Sequence, residues 1–189
     1  MFDFEEDIMN SLRVLREGGL ILYPTDTIWG IGCDATNEKA VQRIYALKKR
    51  ADKKSMIVLV AVDRDILKYV VQPDLRIFDY LEQIKRPTTI IYEGAIGVAP
   101  NLIAGDGTLG IRICKEEFCK HLIRRFRKPI VSTSANISGK PSPKTFSGIE
   151  AEIKNGVDYV VRYRQDDNLE AHPSSVIKLN KNGTITTIR

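Results

Sequence analysis

The sequence predicts one mixed α/β domain over residues 1–189, an open sheet with flanking helices, and three observations lead there. Apolar residues at helical spacing alternate along the chain with short apolar runs of strand length. Apolar residues make up 43% of the 189, enough to bury one substantial core without a second domain. The C-terminal stretch reads as two strands joined across Asn182-Gly183, a strong hairpin signal.

Residues 5–17 place Ile8, Leu12 and Leu15 on one helical face and stop at Gly18-Gly19, where glycine can take a left-handed cap. Residues 20–23 form a short apolar strand halted by Pro24. Asn37 can cap a second helix, with Ala40, Ile44 and Leu47 on one face, which ends in a basic run. Further strands are expected at 56–60, 88–92, 109–113 and 129–133. Helices are expected at 75–84, around Phe118, Leu122 and Phe126, and at 149–153. Residues 134–144 are polar and rich in Pro, Gly and Ser, the composition of a loop, and strands at 157–163, 175–178 and 184–188 complete the sheet.

Lys plus Arg (29) exceed Asp plus Glu (24), a net charge of +5 that suits nucleotides or RNA and also ordinary basic proteins. The acidic first seven residues lack the basic start and apolar core of a signal peptide, so a cytoplasmic protein is expected. No apolar run approaches the roughly 20 residues that span a bilayer, so no membrane partner is expected. Three cysteines cannot all pair within one chain and read as free thiols. Cys114, Cys119 and His121 lack the paired spacing of structural zinc, and no metal centre is expected from them.

Several motifs fail on context. Gly105-Asp106-Gly107-Thr108-Leu109-Gly110 has dinucleotide-fingerprint spacing but precedes a strand, so it reads as a turn. No phosphate-binding loop of the Walker type occurs, and two histidines, His121 and His172, give little support to a histidine-based triad.

Three segments carry more chemistry. Residues 23–32 run from a buried strand into a loop dense in small hydroxyls and glycines, either an ordinary turn or a grip on a small polar ligand. Lys48 and Arg50 belong to the basic run 48–54. Those cations either oppose the negative end of a helix dipole or clamp phosphate oxygens ahead of a strand. Residues 129–139 end a strand in Ser132-Thr133-Ser134-Ala135-Asn136, which is turn chemistry or a set of neutral donors and acceptors for a triphosphate.

Together these segments resemble the YrdC-like family, the threonylcarbamoyl-AMP synthases. The resemblance runs through Pro24-Thr25-Asp26-Thr27-x-Trp29-Gly30, Lys48-x-Arg50, Thr108-x-Gly110-x-Arg112, Ser132 to Gly139, and Ser174-Ser175-Val176. It implies an open, twisted mixed sheet with a deep basic cavity, in the short, single-domain form. It also implies a nucleotidyltransferase that uses ATP with Mg2+, L-threonine and bicarbonate, and whose product passes to a separate transferase complex for the t6A modification of tRNA. Matched positions put Lys48, Arg50, Thr108, Ser134, Asn136 and Ser142 at ATP, with Lys48 and Arg50 the catalytic pair, and put Thr25, Arg112, Ser132 and Ser174 at threonine. Lys85-Arg86-Pro87 and Lys54-Ser55-Met56 depart from the family's usual Pro-Gly-Pro and Lys-Pro-Leu. The rivals are a module that holds tRNA or double-stranded RNA without chemistry, and a paralogue without the reaction.

Overall fold

The computed structural model describes residues 3–49, 56–168, 170–180 and 184–188. Arg50 and the Asn182-Gly183 turn lie outside them.

The chain begins with α1 (Glu5–Arg16), whose Ile8, Leu12 and Leu15 are buried, and turns at Gly18 with φ +77°. β1 (Ile21–Tyr23) and β2 (Gly30–Gly32) follow, then α2 (Glu38–Leu47), capped by the Asn37 side chain, which accepts from the Ala40 N–H at 3.1 Å. β3 (Ile57–Val60), a 3-10 turn (Asp63–Lys68), α3 (Arg76–Gln83), β4 (Thr88–Glu93) and β5 (Thr108–Ile113) come next. α4 (Glu117–Phe126), β6 (Ile130–Ser134), α5 (Ala151–Gly156), β7 (Tyr159–Val160), β8 (Ser175–Leu179) and β9 (Ile185–Thr187) complete the order. The strands join in one mixed sheet, β7-β1-β2-β6-β3-β5-β4-β8-β9.

The expected strand at 157–163 is cut short at Tyr159–Val160. The Asp7 carboxylate accepts from the backbone N–H groups of Arg162, at 3.1 Å, and Tyr163, at 2.9 Å, which removes both donors from any ladder. The helix expected at 149–153 starts later, at Ala151. β2 falls within a stretch that reads as loop from its glycines, yet it sits between β1 and β6 with Ile31 fully buried. The glycine permits this close packing. A Cβ on Gly32 would lie 2.7 Å from the Val131 carbonyl oxygen and 2.6 Å from Tyr23 Cε1.

Register determines which side chains share a face, because directly paired residues point the same way. Ile57 pairs with both Ser132 and Gly110, Arg112 pairs with Leu59 and Thr89, and Gly30 pairs with Ser134. Gly30, Arg112, Ser132 and Ser134 form the polar patch of this face, beside Ile57. The intervening Val58, Ile111 and Val131 point the other way into the apolar core.

Gly32→Ala should therefore destabilise the fold by about 1 to 3 kcal/mol through overpacking. Gly105→Ala, where nothing lies within 4 Å of the added Cβ, should change stability by less than about 0.5 kcal/mol. Urea unfolding midpoints of the two variants check this, and equal midpoints would show that β2 does not pack as described.

Candidate active site

The polar patch floors a cavity of about 180 Å³, whose walls include Thr27, Trp29, Gly30, Ile57, Arg112, Ser132, Thr133, Ser134, Ser142 and Ser174. Among the described residues, Arg112 is the one ionisable side chain in that lining. It is only 3% exposed, and its guanidinium lies 3.1 Å from Asp26 Oδ1 and donates to Thr25 Oγ1 at 3.5 Å. Its Nε is buried with no hydrogen-bond partner among the described residues.

Asp26 is in turn held by the backbone N–H of Lys115 at 3.2 Å and by the Cys114 thiol at 3.4 Å. The Cys119 thiol donates to the Pro24 carbonyl at 3.2 Å, and burial pushes it well above its ordinary pKa, so it is a neutral donor. Two thiols that read as incidental in the sequence thus pin the 24–26 loop against β5 and α4. Thr25 Oγ1 closes the loop on itself, accepting from the Thr27 N–H at 3.0 Å and donating to the Ile28 carbonyl at 2.8 Å.

One wall is hydroxyl-rich. Ser174 is 4% exposed and shares a hydrogen bond of 2.9 Å with Thr89 Oγ1, so the segment before β8 is tied to the sheet floor. Trp29 supplies the apolar side, braced by Phe146 at 4.8 Å between ring centroids. Gly30 leaves room beside Ser132, whose Oγ would lie 3.2 Å from a Cβ placed there.

Lys48 behaves unlike a solvated helix-end cation. It is 1% exposed, and its ammonium donates to the backbone carbonyl oxygens of Ser134 and, at 2.6 Å, Asn136. Asn136 Oδ1 accepts from it at 3.4 Å, while Asn136 Nδ2 donates to the carbonyls of Ile137 and Lys140. The Lys48 carbonyl also accepts from the Ser138 N–H at 2.8 Å. The Lys-x-Arg and Ser-x-Asn segments are therefore in direct contact, with Lys48 and Asn136 shaping the 134–140 loop rather than lining the cavity.

Thr25, Arg112, Ser132, Ser134, Ser142 and Ser174 thus gather at or beside one cavity. Thr108 does not line it; its hydroxyl donates to Asp106 Oδ1 at 2.7 Å, and Gly107 takes φ +79° in the turn before β5. Register nevertheless brings Thr108 to the same end of the sheet as Ser134, on the other side of the start of β3. Asp26, Thr89 and Trp29 have structural parts to play that the sequence reading did not single out as site residues. Asp26 and Trp29 lay inside a motif already in view; Thr89 was signalled only by its place opposite Arg112.

A family model described as telomere recombination, Sua5/YciO/YrdC, matches residues 13–189. The chain belongs to the Sua5/YciO/YrdC family. The threonylcarbamoyl-AMP synthase of Idiomarina loihiensis is 33% identical over 147 residues, 76% of this chain and 78% of that protein. The protein of the same name from Pseudoalteromonas translucida is 29% identical over 96% of this chain and 97% of its own length. The crystal structure of P. abyssi Sua5 complexed with L-threonine superposes with a TM-score of 0.85 at 25% identity, covering 98% of this chain. The chain spans 54% of that longer Sua5 chain.

In this Sua5/YciO/YrdC domain the Lys48 contacts make a sharp expectation. Lys48→Met should cost about 2 to 4 kcal/mol, because buried carbonyls are left without a donor. Ser134→Ala should cost less than about 0.5 kcal/mol, because Lys48 binds the Ser134 carbonyl and not its hydroxyl. Chemical denaturation with amide exchange across 134–140 checks both, and an unchanged Lys48→Met protein would remove the loop-shaping role.

Proposed function

We propose that the chain is an L-threonylcarbamoyladenylate synthase, which forms threonylcarbamoyl-AMP and pyrophosphate from L-threonine, bicarbonate and ATP. The observation that carries this reading is Arg112: a buried guanidinium with an orphaned Nε, at the floor of a hydroxyl-lined cavity of amino-acid size. A ligand carboxylate supplies the missing acceptor, Ser132 and Ser174 offer neutral partners to the ammonium and hydroxyl of threonine, and Thr25 orients the Arg112 guanidinium from the loop behind. The names of the relatives support the same reading.

ATP enters as its magnesium complex. The magnesium ion is carried in by the triphosphate, whose oxygens are its natural ligands. The nucleotide extends from the cavity past Ser134 and Ser142 toward the sheet end that bears Thr108, with Arg50 as a phosphate partner. Lys48 and Asn136 act by holding the loop beneath it.

The threonine amine takes up the carbonyl carbon of bicarbonate, with loss of water, and the resulting carbamate oxygen attacks the α-phosphorus. The bond to the β,γ-diphosphate breaks and pyrophosphate leaves. No protein nucleophile is required; positioning and charge neutralisation supply the catalysis. The product is a mixed anhydride suited to a downstream t6A transferase complex acting on tRNA.

Purified protein should release pyrophosphate from ATP only when threonine and bicarbonate are both present, and equal release without threonine would overturn the assignment. Arg112→Ala should weaken threonine binding by about 1.5 to 3 kcal/mol, with a smaller change for ATP. Calorimetry that finds ATP binding lost and threonine binding intact would show that Arg112 serves the nucleotide.

A further inference from the structure

A second cavity, of about 360 Å³, opens at the far end of the same two central strands. Ile57 of β3 and Ser132 and Ser134 of β6 border the candidate active site, whereas Val60, at the other end of β3, and Pro129, just before β6, border this cleft. Its floor is apolar, formed by Val60, Val62, Ile123 and Pro129 with the ring of Tyr69, and its rim carries four cations, Lys68, Arg124, Arg127 and Lys128, and one carboxylate, Asp65.

The plainest reading is that cations at the end of α4 oppose the negative end of its dipole. Two features go beyond that. Lys68 comes from the 3-10 turn and Lys128 from the residue pair before β6, so cations from separate elements converge on one cleft. Lys68 and Lys128 are each held by a carboxylate, Asp65 at 2.8 Å and Asp34 at 2.6 Å. Arg124 and Arg127 make no ion pair within 4.0 Å among the described residues.

The second feature is the backbone at Arg127. This residue ends α4 in the left-handed region, φ +61° and ψ 20°, a position that glycine occupies at least cost and that costs other L-residues about 1 kcal/mol. Arg127 shares this backbone conformation with Lys49, Gln72 and Arg164, and of these four it is the one at the mouth of this cleft.

We propose that this cleft is a second ligand site, distinct from the candidate active site, for an organic phosphate of nucleotide size. Its phosphates lie between Arg124 and Arg127, and its planar or apolar body rests on the Val60, Ile123 and Tyr69 floor. Planar guanidinium groups bind phosphate oxygens in pairs, and a cavity of this volume that joins an apolar floor to a charged rim suits a small organic anion. Neither property is needed for the synthesis reaction, so the proposal stands or falls apart from it.

The test is a titration of the protein with ADP and, separately, inorganic pyrophosphate, followed through the backbone amides by NMR. ADP should shift the amides of Arg124, Arg127 and Lys128 saturably and bind the cleft at least about threefold more tightly than pyrophosphate. Arg124→Ala with Arg127→Ala should weaken binding there by about tenfold or more, while shifts at Ser132 and Ser174 persist. Arg127→Gly should raise the melting temperature and still weaken the cleft, which separates ligand binding from helix capping. No saturable shift at these amides, or a shift that survives the double substitution, would overturn the site. Equal affinity for pyrophosphate would overturn its assignment to an organic phosphate, and an Arg127→Gly protein that melts lower with the cleft affinity unchanged would return Arg127 to a purely structural role.

Discussion

The candidate site is organised around one buried ion pair, Arg112 with Asp26, both less than a tenth exposed. Removing two such charges from water costs several kcal/mol for each, and their attraction offsets this only if further hydrogen bonds satisfy the remaining atoms. Asp26 meets that condition through the Lys115 N–H and the Cys114 thiol. Arg112 meets it incompletely, since its Nε has no acceptor among the described residues. The pair therefore locks a loop to the centre of the sheet while leaving one polar demand of Arg112 unmet.

The same economy governs the loops around it. Gly30, Ser132 and Ser134 are small, and they keep this part of the sheet face low enough to leave a void above it. What gives those small residues fixed positions is contact from behind: Lys48 under the 134–140 loop, Cys119 under Pro24, Phe146 against Trp29. The rigid parts of the site are mostly residues that do not touch the cavity.

Much of this was legible in the sequence where the signal is local. The Asn37 cap and the Gly18 turn each follow from a few neighbouring residues and appear where expected, while β6 runs one residue beyond the expected 129–133, to Ser134. The resemblance to a known family added the grouping of Thr25, Arg112, Ser132 and Ser174, which are far apart in the chain. The rest was hidden for physical reasons. β2 is three residues with two glycines, so nothing in its composition favours a strand, and its place comes from pairing with β1 and β6. Lys48 belongs to a basic run that resembles a solvated helix end, and only the packing of the distant 134–140 loop turns its ammonium inward. Asp7 ends β7 across nearly the whole length of the chain, an interaction that no window of sequence contains.

The Thr89–Ser174 hydrogen bond has a further consequence for how the site comes into being. The cavity draws on residues near 25, 57, 112, 132 and 174, and its last wall is positioned by pairing of β8 with β4, a parallel pairing between strands far apart in sequence. Contacts of such high sequence separation are slow to form, because the loop between them must first be closed. During synthesis, which delivers the chain from its N-terminus, the helices and central strands can assemble while the cavity still stands open on one side. Competence to enclose a ligand is thus among the last properties the molecule acquires, and it arrives with the segment just before β8.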